Sequence, residues 1–140
     1  MPNKTPLLKF IFDYSKLNCR VPRIPIRFLR NDGKSTPVID AVLDSGADEV
    51  TIPKSLADWL QLSLKPKQNQ INTASGKENA FIATVDFYIG RGGREVKYEK
   101  VQICVIDKCP AILIGINPVF DDYKITIIAS EKKYAMEPTK

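Results

Sequence analysis

At 140 residues, with 44% hydrophobic and 9% aromatic side chains, the chain has the length of one domain and an ordinary globular composition. It contains no histidine, which excludes Ser-His-Asp and Cys-His nucleophile systems, His-Glu-x-x-His zinc sites and most catalytic zinc chemistry. The net charge of +5 is uneven: residues 1–30 hold seven Lys/Arg against the single acid Asp13, and the remaining 110 residues sum to −1.

The apolar stretches at 111–114 and 125–129 are far too short to span a bilayer, so no membrane partner is expected. Met1-Pro2-Asn3-Lys4 precedes a brief apolar patch that Asp13 interrupts, with no small-residue cleavage site after it. Cys19, Cys104 and Cys109 form an odd set without a Cys-x-x-Cys pair, which argues for reduced thiols and a cytoplasmic location. The basic segment at 1–30 has the charge to meet nucleic acid, but no aromatic-interleaved or glycine-rich RNA motif accompanies it. It reads as a solvated basic surface.

In chain order, polar and apolar residues alternate over 23–30, and Asn31-Asp32-Gly33-Lys34 supplies a turn. Residues 36–44 are apolar enough for a buried strand, so the two runs predict a hairpin. Residues 53–60 start with Pro and space apolar residues helically, with Leu56, Trp59 and Leu60 on the expected core face. A second hairpin is predicted from 81–89, with Val85, Phe87 and Ile89 on one face, through Gly90-Arg91-Gly92-Gly93 to 95–106. Cys104 within that strand reads as a small buried side chain, and Cys109 as buried or partly exposed. After Pro110 comes Ala111-Ile112-Leu113-Ile114, then a short helix over 117–123 with Asn117 as its cap, and a last strand over 124–128. The tail at 129–140 is polar and expected to fray. Many short strands with two small helices indicate an all-β, barrel-like domain.

Chemistry concentrates where an apolar strand carries Asp44 into Ser45-Gly46. Gly46 lets the chain turn where a β-carbon would obstruct it, and Ser45 is able to hydrogen-bond across the turn. By itself this is also what an ordinary Asx or Ser turn looks like.

Three separate segments extend the match. Leu43-Asp44-Ser45-Gly46-Ala47-Asp48 resembles the active-site loop of retroviral-type (retropepsin-like) aspartic proteases. Gln70 to Lys77, with Ala74, Ser75 and Gly76 at its tip, is similar to the family's flap hairpin, and Ile112-Leu113-Ile114-Gly115 to its hydrophobic-glycine segment. The resemblance covers residues 23–128, flanked by a basic extension (1–22) and the polar tail. It implies a closed, barrel-like acid-protease fold in which Asp44 is the catalytic aspartate, supported by Ser45 and Gly46. Ala47, Asp48, Glu49, Ala74, Ser75 and Gly76 would bind an extended peptide or protein substrate, and no cofactor or metal is implied.

With one Asp-Ser-Gly in one domain, the partner carboxylate is expected from Asp44 of a second chain in a twofold homodimer. Many relatives carry Arg after the second motif's glycine, paired with the aspartate that corresponds to Asp48. Here that position is Ile116, so the usual partner of Asp48 is replaced. The alternative reading is a catalytically idle peptide-binding or assembly module on the same fold.

Overall fold

The computed structural model describes residues 6–67, 71–73 and 76–139, with backbone alone at 71–73 and 76–78. Among these the order is β1 (Phe10–Asp13), β2 (Arg23–Leu29), β3 (Ile39–Leu43), β4 (Thr51–Pro53), α1 (Lys54–Trp59), β5 (Lys65–Pro66), β6 (Ile71–Thr73), β7 (Gly76–Glu78), β8 (Ala80–Arg91), β9 (Arg94–Ile106), β10 (Leu113–Ile114), α2 (Val119–Asp122), β11 (Tyr123–Ile128) and β12 (Lys133–Pro138). Among the described residues the chain is all-β with two short α-helices, as expected, and a 3₁₀ turn at Ala129–Glu131.

Period-2 patterning builds the barrel. In β2 the alternate residues Ile24, Ile26 and Phe28 are fully buried, and in β8 Val85, Phe87 and Ile89 point to the same core. β2 pairs antiparallel with both β3 and β8, which closes the ring β2-β3-β10-β4-β9-β8 on itself. Closure leaves no free edge within the ring. The hairpin β8–β9 turns at Gly92 and Gly93, both at positive φ (65° and 83°), the backbone that a two-residue turn requires. Between Val85 and Phe87 the register shifts, and the Asp86 carboxylate accepts the Lys100 N–H at 2.8 Å, holding the irregularity in place.

The first hairpin forms as predicted, but β3 is shorter than the apolar run. Thr36 lies before it, buried, its hydroxyl accepting the Phe28 N–H at 3.0 Å. The second helix does not start as expected. Asn117 is held instead by its own N–H to the Asp48 carbonyl (2.9 Å), and Pro118 stands at the helix start without a side-chain cap. Trp59 also departs from expectation: Leu60 is fully buried, whereas Trp59 is 44% exposed under the Arg30 guanidinium, 4.9 Å from its ring.

The tail beyond Ile128, expected to fray, is an ordered strand. β12 pairs antiparallel with β11 on one side and β1 on the other, giving the order β1-β12-β11. Its alternation explains why: Tyr134 and Met136 are buried while Lys133 and Glu137 face out. Phe10, Phe12, Tyr14, Tyr123 and Tyr134 form a chain of ring contacts with centroids 5.0 to 6.3 Å apart. The Tyr134 hydroxyl donates to the Arg23 carbonyl at 2.6 Å, and that of Tyr123 to Leu8 at 2.8 Å.

These phenols define an alkaline limit. Burial pushes Tyr123 up to about 12, and it pushes Tyr134 and Tyr98 up as well, the last also through its hydrogen bond to Asp122. A raised phenol contributes stability that is complete below pH 10.0, the ordinary value, and is lost as pH rises through the folded-state value. Urea midpoints should therefore be insensitive to tyrosine ionisation at pH 8 to 9 and fall steeply between about pH 10 and 12. Tyr123→Phe should flatten that decline.

Candidate active site

The loop after β3 is fixed by its neighbour rather than by itself. β3 and β10 run parallel, with Val42 beside Leu113 and Leu43 beside Ile114. The Val42 N–H donates to the Ile112 carbonyl (2.8 Å) and the Asp44 N–H to that of Ile114 (2.9 Å). Beyond the turn, Ile116 N–H reaches the Ala47 carbonyl and Asn117 N–H that of Asp48, both at 2.9 Å. Residues 42–48 are thus laced to 112–117 from both ends, and the hydrophobic-glycine segment is the clamp of the aspartate loop.

Gly115 sits where the clamp is tightest. A β-carbon there would collide with the Ala47 carbonyl oxygen and lie 2.8 Å from that of Glu49. Only glycine lets the two segments approach so closely. Behind them Ile114, Val50 and Ile52 are fully buried.

Within the turn, Asp44 folds back on its own backbone. Gly46 N–H donates to Asp44 Oδ1 at 2.9 Å, and Ala47 N–H to the Asp44 carbonyl at 3.1 Å. Asp44 is half-buried, whereas Ser45 and Gly46 are exposed. The carboxylate is therefore held by one backbone N–H, and the turn beneath it by a second, on a loop that is itself pinned.

The remaining site candidates separate. Ala47 is half-buried and contributes its carbonyl to the clamp; Asp48 is exposed, its carbonyl bound by Asn117, the residue after the 36%-exposed Ile116. Glu49 turns toward Lys67, with Oε1 3.5 Å from Nζ and its side chain 14% exposed. Lys67 precedes the β6–β7 hairpin and is anchored by its N–H to the Ala80 carbonyl (2.8 Å), so the ion pair ties the aspartate loop to the base of that hairpin. Sequence reading missed Lys67: a lysine in a polar stretch, 18 residues from its partner, gives no local signal.

β6 and β7 pair antiparallel, Ile71 with Glu78 and Thr73 with Gly76, which are the arms of the expected flap. Its tip residues Ala74 and Ser75 lie outside the described residues, as does Gln70.

Both nearby thiols are weaker acids than a free cysteine. Cys104 is buried, and burial is the main cause of its raised pKa, with Lys67 opposing and Glu49 reinforcing the shift. Burial likewise raises Cys109, whose thiol donates to the Ala111 carbonyl. Both remain protonated at neutral pH. Among the described residues, no group of three or more Cys, Asp or Glu is placed to hold a metal ion, and no helix is long and apolar enough to cross a membrane.

Residues 32–118, more than half of the chain, match the family model described as "gag-polyprotein putative aspartyl protease". Among solved structures the chain is similar to a retropepsin-like aspartic protease from Rickettsia conorii, with 17% identity and a TM-score of 0.63 over 93% of this chain and 99% of that one. It is also similar to the equine virus EIAV protease, solved with the inhibitor HBY-793, at 23% identity and a TM-score of 0.47 over 75% of this chain and 89% of that one. Comparison with curated proteins gives no match.

Proposed function

Because the chain belongs to the gag-type, retropepsin-like aspartyl protease family, we propose that it is an aspartic endopeptidase whose active site is completed by a second copy of itself. The observation that carries this reading is the clamped Asp44 carboxylate, half-buried and held by the Gly46 N–H, at the end of the parallel β3–β10 pair. In a twofold dimer Asp44 faces Asp44 of the partner. Two carboxylates in contact do not both ionise readily, so the pair holds one proton.

The ionised member takes a proton from water as the water oxygen adds to the scissile carbonyl carbon. The protonated member gives its proton to the carbonyl oxygen. In the second step a proton passes to the amide nitrogen, the C–N bond breaks, and a carboxylic acid and an amine leave. Backbone groups of Ala47 and Asp48 and the β6–β7 hairpin would hold an extended substrate, with Ala74, Ser75 and Gly76 closing over it. Glu49, tied to Lys67, would set one side-chain pocket. Three free cysteines support a reducing, cytoplasmic setting.

In this reading the dimer seam is β11, one free edge of the three-stranded sheet. The inward apolar row Phe12-Tyr134-Ile127 runs toward that edge and ends in Ile127, 46% exposed; Ile128 beside it is 44% exposed. A neighbouring strand of a second copy would cover both. Strands β1 and β12 then act as additions that build the rest of this sheet within one chain.

The test is dilution. Specific activity on a mixed peptide library should rise with enzyme concentration toward a plateau and be inhibited by a statine-type transition-state mimic. Constant specific activity from a chain shown by sedimentation to be monomeric would overturn the shared site.

A further inference from the structure

The sheet β1-β12-β11 has a second free edge, and its chemistry differs from that of β11. Along β1, the residues Lys9, Phe10, Ile11 and Phe12 form one wall of an open groove of about 510 Å³, with Arg91 and Arg94 of the β8–β9 hairpin as the other. Successive strand residues point to opposite faces, so a groove touching all four runs along the strand edge rather than over either face. Its lining contains three cations and no acid. Ile11, 73% exposed, is the most exposed of the large hydrophobic side chains among the described residues.

An unpaired strand edge offers N–H and C=O groups in the spacing of another extended peptide. The cations beside it select what that peptide carries. Arg94 is held across the groove by the Lys9 carbonyl and lies over the Phe10 ring, 5.7 Å from its centroid. Arg91 is held by Asp40 at 2.6 Å. The guanidinium groups are therefore positioned rather than loose. A second copy is a poor occupant, because twofold pairing of β1 would bring this basic rim against its own copy. Nucleic acid also fits poorly: Phe10 is buried, so its ring is closed to base stacking, and the floor is apolar.

We propose that the β1 edge is a docking site for an extended segment of another protein in which acidic residues alternate with apolar ones, added as a fourth strand. The site is separate from Asp44, and the proposal does not rest on peptidase activity. On an endopeptidase it would select clients by a sequence away from the cleaved bond.

The experiment uses the full chain carrying Asp44→Asn, so that no probe is cut, and a fluorescein-labelled decapeptide of alternating Glu and Val. Anisotropy should show saturable binding at low salt, with backbone NMR shifts confined to residues 9–13 and 91–94. The double variant Lys9→Glu/Arg91→Glu, shown to be folded by its circular dichroism, should bind at least about tenfold more weakly. Three results would overturn the proposal: no binding of the Glu-Val probe; equal binding of a Glu-Gly decapeptide of the same charge, or tighter binding of oligothymidylate, either of which makes the groove a polyanion surface; and dilution-dependent shifts at residues 9–13 without any probe, which makes it a contact between copies.

Discussion

Asp44→Asn removes peptide-bond hydrolysis, lowering kcat/KM by about ten-thousandfold or more, while circular dichroism and the urea midpoint stay near wild type. The fold should survive because asparagine keeps the Oδ1 acceptor for the Gly46 N–H, and the loop is held mainly by backbone hydrogen bonds to Ile114 and Ala47. What it loses is a carboxylate able to accept and return a proton. Mixing makes the result diagnostic. If the site is shared, a ninefold excess of Asp44→Asn chains lowers activity per wild-type chain about tenfold, because most wild-type chains then pair with an inactive partner. If each chain works alone, the excess changes nothing. Full activity of the variant by itself would mean that Asp44 is not the catalytic group, and absence of cleavage by the wild type would instead favour a peptide-binding or assembly module.

Gly115→Val should destabilise the protein by about 3 kcal/mol or more, a fall in Tm of roughly 10 °C. The side chain would strike the Ala47 carbonyl, which accepts the Ile116 N–H, and crowd that of Glu49, next to the Asp48 carbonyl that accepts the Asn117 N–H. Activity should fall further than stability, since the displaced segment carries the aspartate. Gly92→Asn is the control: a β-carbon at this turn meets nothing within 4 Å, and asparagine tolerates its φ of 65°. Its Tm should change little in a thermal melt. Equal loss in both variants would mean that the clamp is not the source of the effect.

What was legible in the sequence was whatever local pattern writes. The alternation in β2 and β8, the Gly92-Gly93 turn and the Asp44-Ser45-Gly46 loop each carry their cause within a few residues. The pairings that organise the site do not. Nothing near Gly115 says that its neighbour is Ala47, 68 positions earlier, and only resemblance connected the two segments. β12 was hidden differently: its inward Tyr134 and Met136 alternate correctly, but Lys132, Lys133 and Glu137 gave the segment the composition of a loose tail. Trp59 shows the opposite error. Helical spacing set it beside Leu56 and Leu60, but α1 is only six residues long, and Arg30 gives the indole a cationic cover instead of a core.

The pairing of β1 with β12 has a consequence for processing. Phe10 lies opposite Met136 and Asp13 opposite Lys133, so the two flanks of the barrel share one seam. A cut that removes the leading strand leaves the last one with a bare edge and strips cover from Tyr134. Trimming at either flank is therefore felt at the other, and proteolysis at one end becomes a way to loosen the far end of the chain.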